Sequence, residues 1–293
     1  MSATIQIHFD GPITVEHAVT LRTLSRTLDH MQSAIDRAYL DVKYGHVWKH
    51  ARLKGDDYRL TDFMLGRPRD GGFIIDMVSE VGGPIVKRVK QAVDGVFQAP
   101  VEEGIAEATR IRQQLQGRRE QLDNQIIVPR TYAEFLQKPD AHMIRPYGDK
   151  SINKEIDQIL ALIRNKEFAG STFELGFAGD IIQTQNYVFD HEKAAHFHDI
   201  VSQRFLGEPI ICEGRLRSLD RGNQFAGRKG IFKNATTNRD VTLYIAKGED
   251  FDELVRYLGE DAPEVKMLAC PIIEYGAFDP NGGDLVFVNL WEE

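Results

Sequence analysis

Two periodicities alternate along the chain. Ile5, Ile7 and Phe9 stand at every second position with polar residues between them, the pattern of a half-buried strand, and Asp10-Gly11-Pro12 ends it. Over residues 15–42 the spacing changes. Leu21, Leu24, Leu28, Met31, Ile35, Ala38 and Val42 recur three or four apart, which predicts one long helix with a single apolar face lying across a sheet. Strands are expected over 47–53, 58–65 and 73–78. The last two flank Gly66-Arg67-Pro68-Arg69-Asp70-Gly71-Gly72, whose Pro and Asp-Gly-Gly suit a hairpin connection. Val81-Gly82-Gly83-Pro84 then opens a helix with Ile85, Val89, Val93 and Val96 on its apolar side, and Pro84 stands where proline is tolerated, at the first helical position.

Residues 101–125 differ in character. Ile105, Ala108, Ile111, Leu115 and Leu122 form a thin apolar stripe on a highly charged helix that Gly104 and Gly117 weaken. A stripe this narrow suits a connecting helix or one that faces a partner or a second copy of the chain. Pro129, Pro139 and Pro146 mark 126–150 as a linker with a short helix at 131–137. This divides the chain into an α+β domain with its charged helix (1–125), a linker (126–150) and a second half (151–293). The second half begins with a helix over 151–166, strands at 172–177 and 182–189, and a helix over 191–205. Strands then follow at 210–219, 227–233 and 241–246, a helix at 250–258, and strands at 265–275 and 285–290, with Asp279-Pro280-Asn281-Gly282-Gly283 as a dense turn signal. The order β-β-β-α-β-β over about 208–293 is that of the OB-fold, a five-stranded barrel that often holds single-stranded nucleic acid or oligosaccharide. The expected fold class is thus α+β: a small N-terminal sheet with a long packing helix, and a C-terminal OB-like barrel.

Composition adds constraints. Hydrophobic residues make up 42% and charged residues 27%, ordinary for a chain with buried cores. The net charge of −8 excludes a whole-surface nucleic-acid binder, so any such site must be a local patch. MSATIQIHFD lacks the basic start and apolar core of a signal peptide, and no apolar run approaches the ~20 residues of a membrane helix, so a cytoplasmic location without membrane partners is expected. Cys212 and Cys270 fall in predicted strands and have no zinc spacing; they read as small buried apolar residues.

One local patch stands out. Residues 213–240 carry Arg215, Arg217, Arg221, Arg228, Lys229, Lys233 and Arg239 against Glu213, Asp220 and Asp240. With Phe232 pointing inward, alternation turns Lys229 and Lys233 outward; with Val241, Leu243 and Ile245 inward, Thr242 and Tyr244 face out. Cations for phosphates beside an aromatic ring for base stacking are what a single-strand site needs. A solvated barrel edge protected by lysines is the competing explanation.

Other clusters carry weaker signals. His191, His196 and His198 lack the spacing of four that a helical zinc site favours. Asp261, Glu264 and Lys266 have the residue types of a metal-dependent nuclease triplet without its surroundings. The Gly82-Gly83 turn is not a phosphate loop, and 274–279 reads as a strand end before a turn rather than a ligand pocket. There is no Gly-x-Ser-x-Gly elbow, and neither cysteine lies in a nucleophile signature. The expected function is therefore non-enzymatic binding of single-stranded DNA or RNA, without a cofactor or metal. A protein-only adaptor that assembles through the 101–125 helix, and an enzyme with an unrecognised, metal-dependent site, remain open alternatives.

Overall fold

The computed structural model describes residues 1–69, 71–100, 107–222, 227–259 and 261–291, with the backbone alone at 107–110. In chain order the elements are β1 (Ala3–Asp10), α1 (Leu21–Tyr44), α2 (Tyr58–Thr61), β2 (Met64–Leu65), β3 (Phe73–Ser79), α3 (Gly83–Phe97) and α4 (Glu107–Asp123). They continue with β4 (Arg130–Thr131), α5 (Tyr132–Gln137), α6 (Tyr147–Leu160), β5 (Thr172–Gly179), β6 (Ile182–Phe189), α7 (His191–Val201) and β7 (Arg204–Leu206). The last group is β8 (Ile210–Asp220), β9 (Lys229–Asn234), β10 (Arg239–Tyr244), α8 (Gly248–Leu254), β11 (Val265–Glu274) and β12 (Leu285–Leu290). The fold is α+β, with a small antiparallel sheet and a closed five-stranded barrel. No helix among the described residues is long and apolar enough to cross a membrane.

The chain forms two compact units, and it enters each more than once. The first comprises Met1–Val47, Ala51–Glu102 and Tyr147–Ser202; the second comprises Trp48–His50, Glu103–Pro146 and Gln203–Glu293. The residues read as one segment at 151–293 are thus shared, because Tyr147–Ser202 group with the N-terminal sheet.

In the first unit the strand order is β2-β3-β1-β5-β6, with every pair antiparallel. Phe9 of β1 lies opposite Phe73 of β3 and Phe173 of β5, and alternation buries Ile5, Ile7 and Phe9 on one face. Helix α1 packs along α6 and beside α3. It starts later than its periodicity suggests. Glu16 and His17 adopt positive φ (50° and 63°) in a turn closed by a Val15–Ala18 bridge, and the Thr20 hydroxyl caps Thr23 N at 3.1 Å. Leu21 is left exposed, while Met31, Ile35 and Ala38 are buried.

One expected strand is absent from this region and another is cut to two residues. Residues 47–53 contain no strand, and 58–65 form α2 followed by the two-residue β2. The cause is Asp57. Its buried carboxylate accepts bonds from Tyr39 Oη (2.7 Å), Lys54 N (2.9 Å) and Lys43 Nζ, and this pins the segment as a helical turn. The Lys43 ammonium above all holds the Asp57 carboxyl down at about 2.

In the second unit the barrel circuit runs β8-β9-β10-β12-β11 and returns to β8. Only β10–β12 is parallel within that circuit. Phe232, Val241, Leu243 and Phe287 fill the interior, and Phe251 and Leu254 of α8 complete the same core. Gly214 is required where β8 and β9 close, since a Cβ there would lie 2.0 Å from the Lys233 carbonyl oxygen. The 131–137 helix appears as α5, with a Thr131/Glu134 capping box. The thin stripe of α4 is covered within this unit. Leu115 is buried with Leu206, Leu268, Cys270, Val286 and Val288, and Ile111 and Leu122 pack against that cluster. Residues 101–106 of the stripe helix, Ile105 among them, and the side chain of Ala108 lie outside the described residues.

Candidate functional site

Alternation on β9 and β10 places the basic patch as the sequence suggests. Phe232 is fully buried, and Lys229, Ile231 and Lys233 face outward. On β10, Val241 and Leu243 are buried and Tyr244 is exposed. On β8 the alternation breaks. Leu216 pairs with Phe232 and Ser218 with Ile231, so Arg217 is the extra residue of a β-bulge. Such a bulge re-aims a side chain, and here it puts two consecutive residues, Arg217 and Ser218, on the outer surface.

The eight predicted residues divide into two groups. Arg215, Lys233 and Arg239 lie with Arg217 near one end of β9 and β10; Arg215 pairs across to Lys233, which pairs to Asp240. Arg228, Lys229, Arg221 and Tyr244 lie at the other end, where Lys229 pairs with Tyr244. At about 3.3 Å per residue, Tyr244 stands roughly 16 Å along β10 from Arg239. Burial and the nearby Asp284 carboxylate raise the Tyr244 pKa, so its ring keeps its proton. Residues 223–226, which follow Arg221 in the sequence, lie outside the described residues.

Three of the seven cations are engaged by carboxylates. Arg217 Nη1 bonds Asp240 Oδ2 at 2.9 Å, Arg221 Nη2 bonds Asp252 Oδ1 at 2.8 Å, and Arg215 Nε lies 3.4 Å from Glu264 Oε1. The Arg221 guanidinium also covers the Phe251 ring, 4.9 Å from its centroid. Among the described residues, Arg228, Lys229, Lys233 and Arg239 make no ion pair. Exposed pairs of this kind are worth roughly 0–1 kcal/mol, so they exchange readily for an incoming anion.

At the Lys233 end the surface is concave. A cleft of about 290 Å³ is lined by Arg217, Lys233 and Arg239 together with Trp48, His50, Asn238, Asp240, Asp279, Asn281 and Gly282. Its walls are fixed by local structure. Asn234 Oδ1 accepts Thr236 N at 2.8 Å, and its carbonyl accepts Asn238 N at 2.8 Å; this turns the chain so that Asn238 sits at φ 54° before Arg239. Asp279 is buried and holds the opposite wall: Oδ2 accepts Lys49 N at 2.7 Å and Oδ1 accepts Asn281 N at 2.9 Å. Tyr132 Oη donates to the Pro280 carbonyl at 3.2 Å. Gly283 has no room for a side chain, because a Cβ would lie 2.3 Å from the Phe278 ring.

A second cleft, of about 570 Å³, shares Arg217 and Lys233 with the first and adds Arg215, Ser218 and Tyr257. Its remaining lining is mainly apolar: Leu216, Leu219, Leu258, Ala262 and Pro263. A larger groove beside Leu122, Val128 and Trp291, of about 710 Å³, has only Asp123 and Glu253 as charged lining and offers nothing to a phosphate.

Trp48, His50, Asn281 and Tyr257 were not legible as site residues. Trp48 and His50 lie far from the barrel in sequence, and the 279–283 turn signals only its own geometry. The weaker clusters are spent structurally. His191 and His196 contact the carbonyls of Ile163 and Ala99, His198 contacts Asp157, and Glu264 contacts Arg215. Burial raises both cysteine thiols, with Cys270 pushed up to about 12, so neither is a ready nucleophile. Among the described residues, no group of three His, Cys, Asp or Glu side chains could hold a metal ion. Comparison of the chain with family models, curated proteins and solved structures finds no match.

Proposed function

We propose that the protein binds single-stranded nucleic acid, DNA or RNA, across the outer face of β8–β10, without catalysing a reaction on it. The observation that carries this reading is the first cleft. It gathers the cations of Arg217, Lys233 and Arg239 beside the rings of Trp48 and His50, with Asn238 and Asn281 amides at its rim. Phosphate oxygens suit the cations, base faces suit the rings, and base edges suit the amides. The strand-two and strand-three surface with the fourth connecting loop is also a common ligand surface in barrels of this topology. An overall charge of −8 confines the attraction to this patch.

The test is fluorescence anisotropy with a labelled single-stranded oligonucleotide at low salt. Wild-type protein should bind saturably, and Lys233→Glu with Arg239→Glu should abolish binding while the circular dichroism spectrum stays unchanged. A wild-type protein that binds neither DNA nor RNA refutes the reading and leaves the adaptor role in its place.

A further inference from the structure

We infer that the bound unit is a dinucleotide step: one phosphate held by Arg217 and Lys233, with its two flanking bases in the two clefts. This rests on the nucleic-acid reading and specifies how the strand crosses the barrel. Arg217 and Lys233 line both clefts, so the two cavities meet at these cations. The β8 bulge makes this possible, since it turns Arg217 outward with no residue opposite it on β9, and its guanidinium reaches over β9 to Asp240, the residue paired with Lys233.

The two cavities differ in chemistry. The first is lined by Asn238 and Asn281, whose side-chain amides donate to and accept from a base edge, and so it discriminates among bases. The second has Tyr257 and apolar walls from Leu219, Leu258 and Pro263. It offers stacking and desolvation but few hydrogen bonds, so it accepts any base. Leu258, Gly259, Ala262 and Pro263 form one of its walls. The Leu216–Leu258 bridge ties that wall to β8, and Gly259 adopts φ +143°, a conformation that L side chains rarely take. Sequence preference should therefore reside at one of the two positions only.

Isothermal titration calorimetry with adenosine 5′-monophosphate and the dinucleotide ApA tests this on the full chain. ApA should bind roughly 5- to 160-fold more tightly than the mononucleotide, the range one stacked base contributes. Tyr257→Ala should remove that gain and leave mononucleotide affinity unchanged. Ala262→Trp, which fills the second cleft without deleting a side chain, should do the same. Equal affinities for ApA and the monophosphate overturn the inference and leave the broader reading standing. So does a gain that survives both substitutions. If the wild-type protein binds neither these ligands nor longer strands, the broader reading falls with it.

Discussion

Arg217 on the β8 bulge reaches Asp240 on β10, Nη1 to Oδ2 at 2.9 Å, across the strand that carries Lys233. The pair crosses the very surface where a phosphate would sit. Asp240 therefore acts in two ways: it positions Arg217 in the absence of ligand, and it competes with the ligand for the guanidinium.

Asp240→Asn should then strengthen binding of single-stranded oligonucleotides, by up to about fivefold for a pair worth roughly 0–1 kcal/mol. Because Arg217 engages the phosphate in either protein once the strand is bound, the dependence of log K on log salt should keep its slope. Anisotropy titrations over a salt series measure both quantities. An unchanged affinity would mean that Arg217 does not touch phosphate.

Charge and ring contributions have separable signatures. Trp48→Ala should cost roughly 1–3 kcal/mol of binding with little change in salt slope, because stacking releases no counterions. Tyr244→Ala, at the far end of β10, should leave binding of a dinucleotide-length ligand unchanged. A large loss from the Tyr244 change, with none from the Trp48 change, would move the site to the other end of the barrel face.

The covering of α4 predicts a stability effect. Leu115 is buried against the outside of β11 and β12, so Leu115→Ala should cost roughly 2–5 kcal/mol, read as a lower urea midpoint. A change in oligomer mass at unchanged stability would instead restore an intermolecular role to this stripe.

Asp57 predicts a pH dependence in the first unit. Its carboxyl is held at about 2 against an ordinary 3.8, so its contribution is fully present above about 3.8 and is lost as the pH falls through about 2. Asp57→Asn should be less stable than wild type at neutral pH, and the gap should narrow below pH 4 and close near pH 2. Parallel thermal melts over that range, with a constant gap as the contrary outcome, check it.

The barrel was legible because β8, β9 and β10 carry period-2 alternation over most of their length, while β11 and β12 read as continuous apolar runs set apart by the 279–283 turn signal. The outward direction of Lys229 and Lys233 followed from the same alternation. What failed to show depended on tertiary partners. Residues 58–65 look like a strand, and the Asp57 carboxylate, bound by Tyr39 and Lys43 of α1, makes them a helical turn instead. The α4 stripe looks unpartnered until Val286 and Val288 cover it. Pairing of β5 with β1 joins residues more than 160 positions apart, a separation that local pattern cannot encode. The site itself was half legible: its cations lie in one basic stretch, but the bulge that aims Arg217 and the arrival of Trp48 and His50 leave no mark in the spacing.

The most direct test of the central claim is equilibrium binding of the wild-type protein to a fluorescent single-stranded oligonucleotide, followed from low to high salt. Saturable binding is expected that weakens linearly on a log–log plot, by about 0.7 per phosphate engaged, and that disappears in the Lys233→Glu, Arg239→Glu variant. Absence of binding to both DNA and RNA at low salt would contradict it.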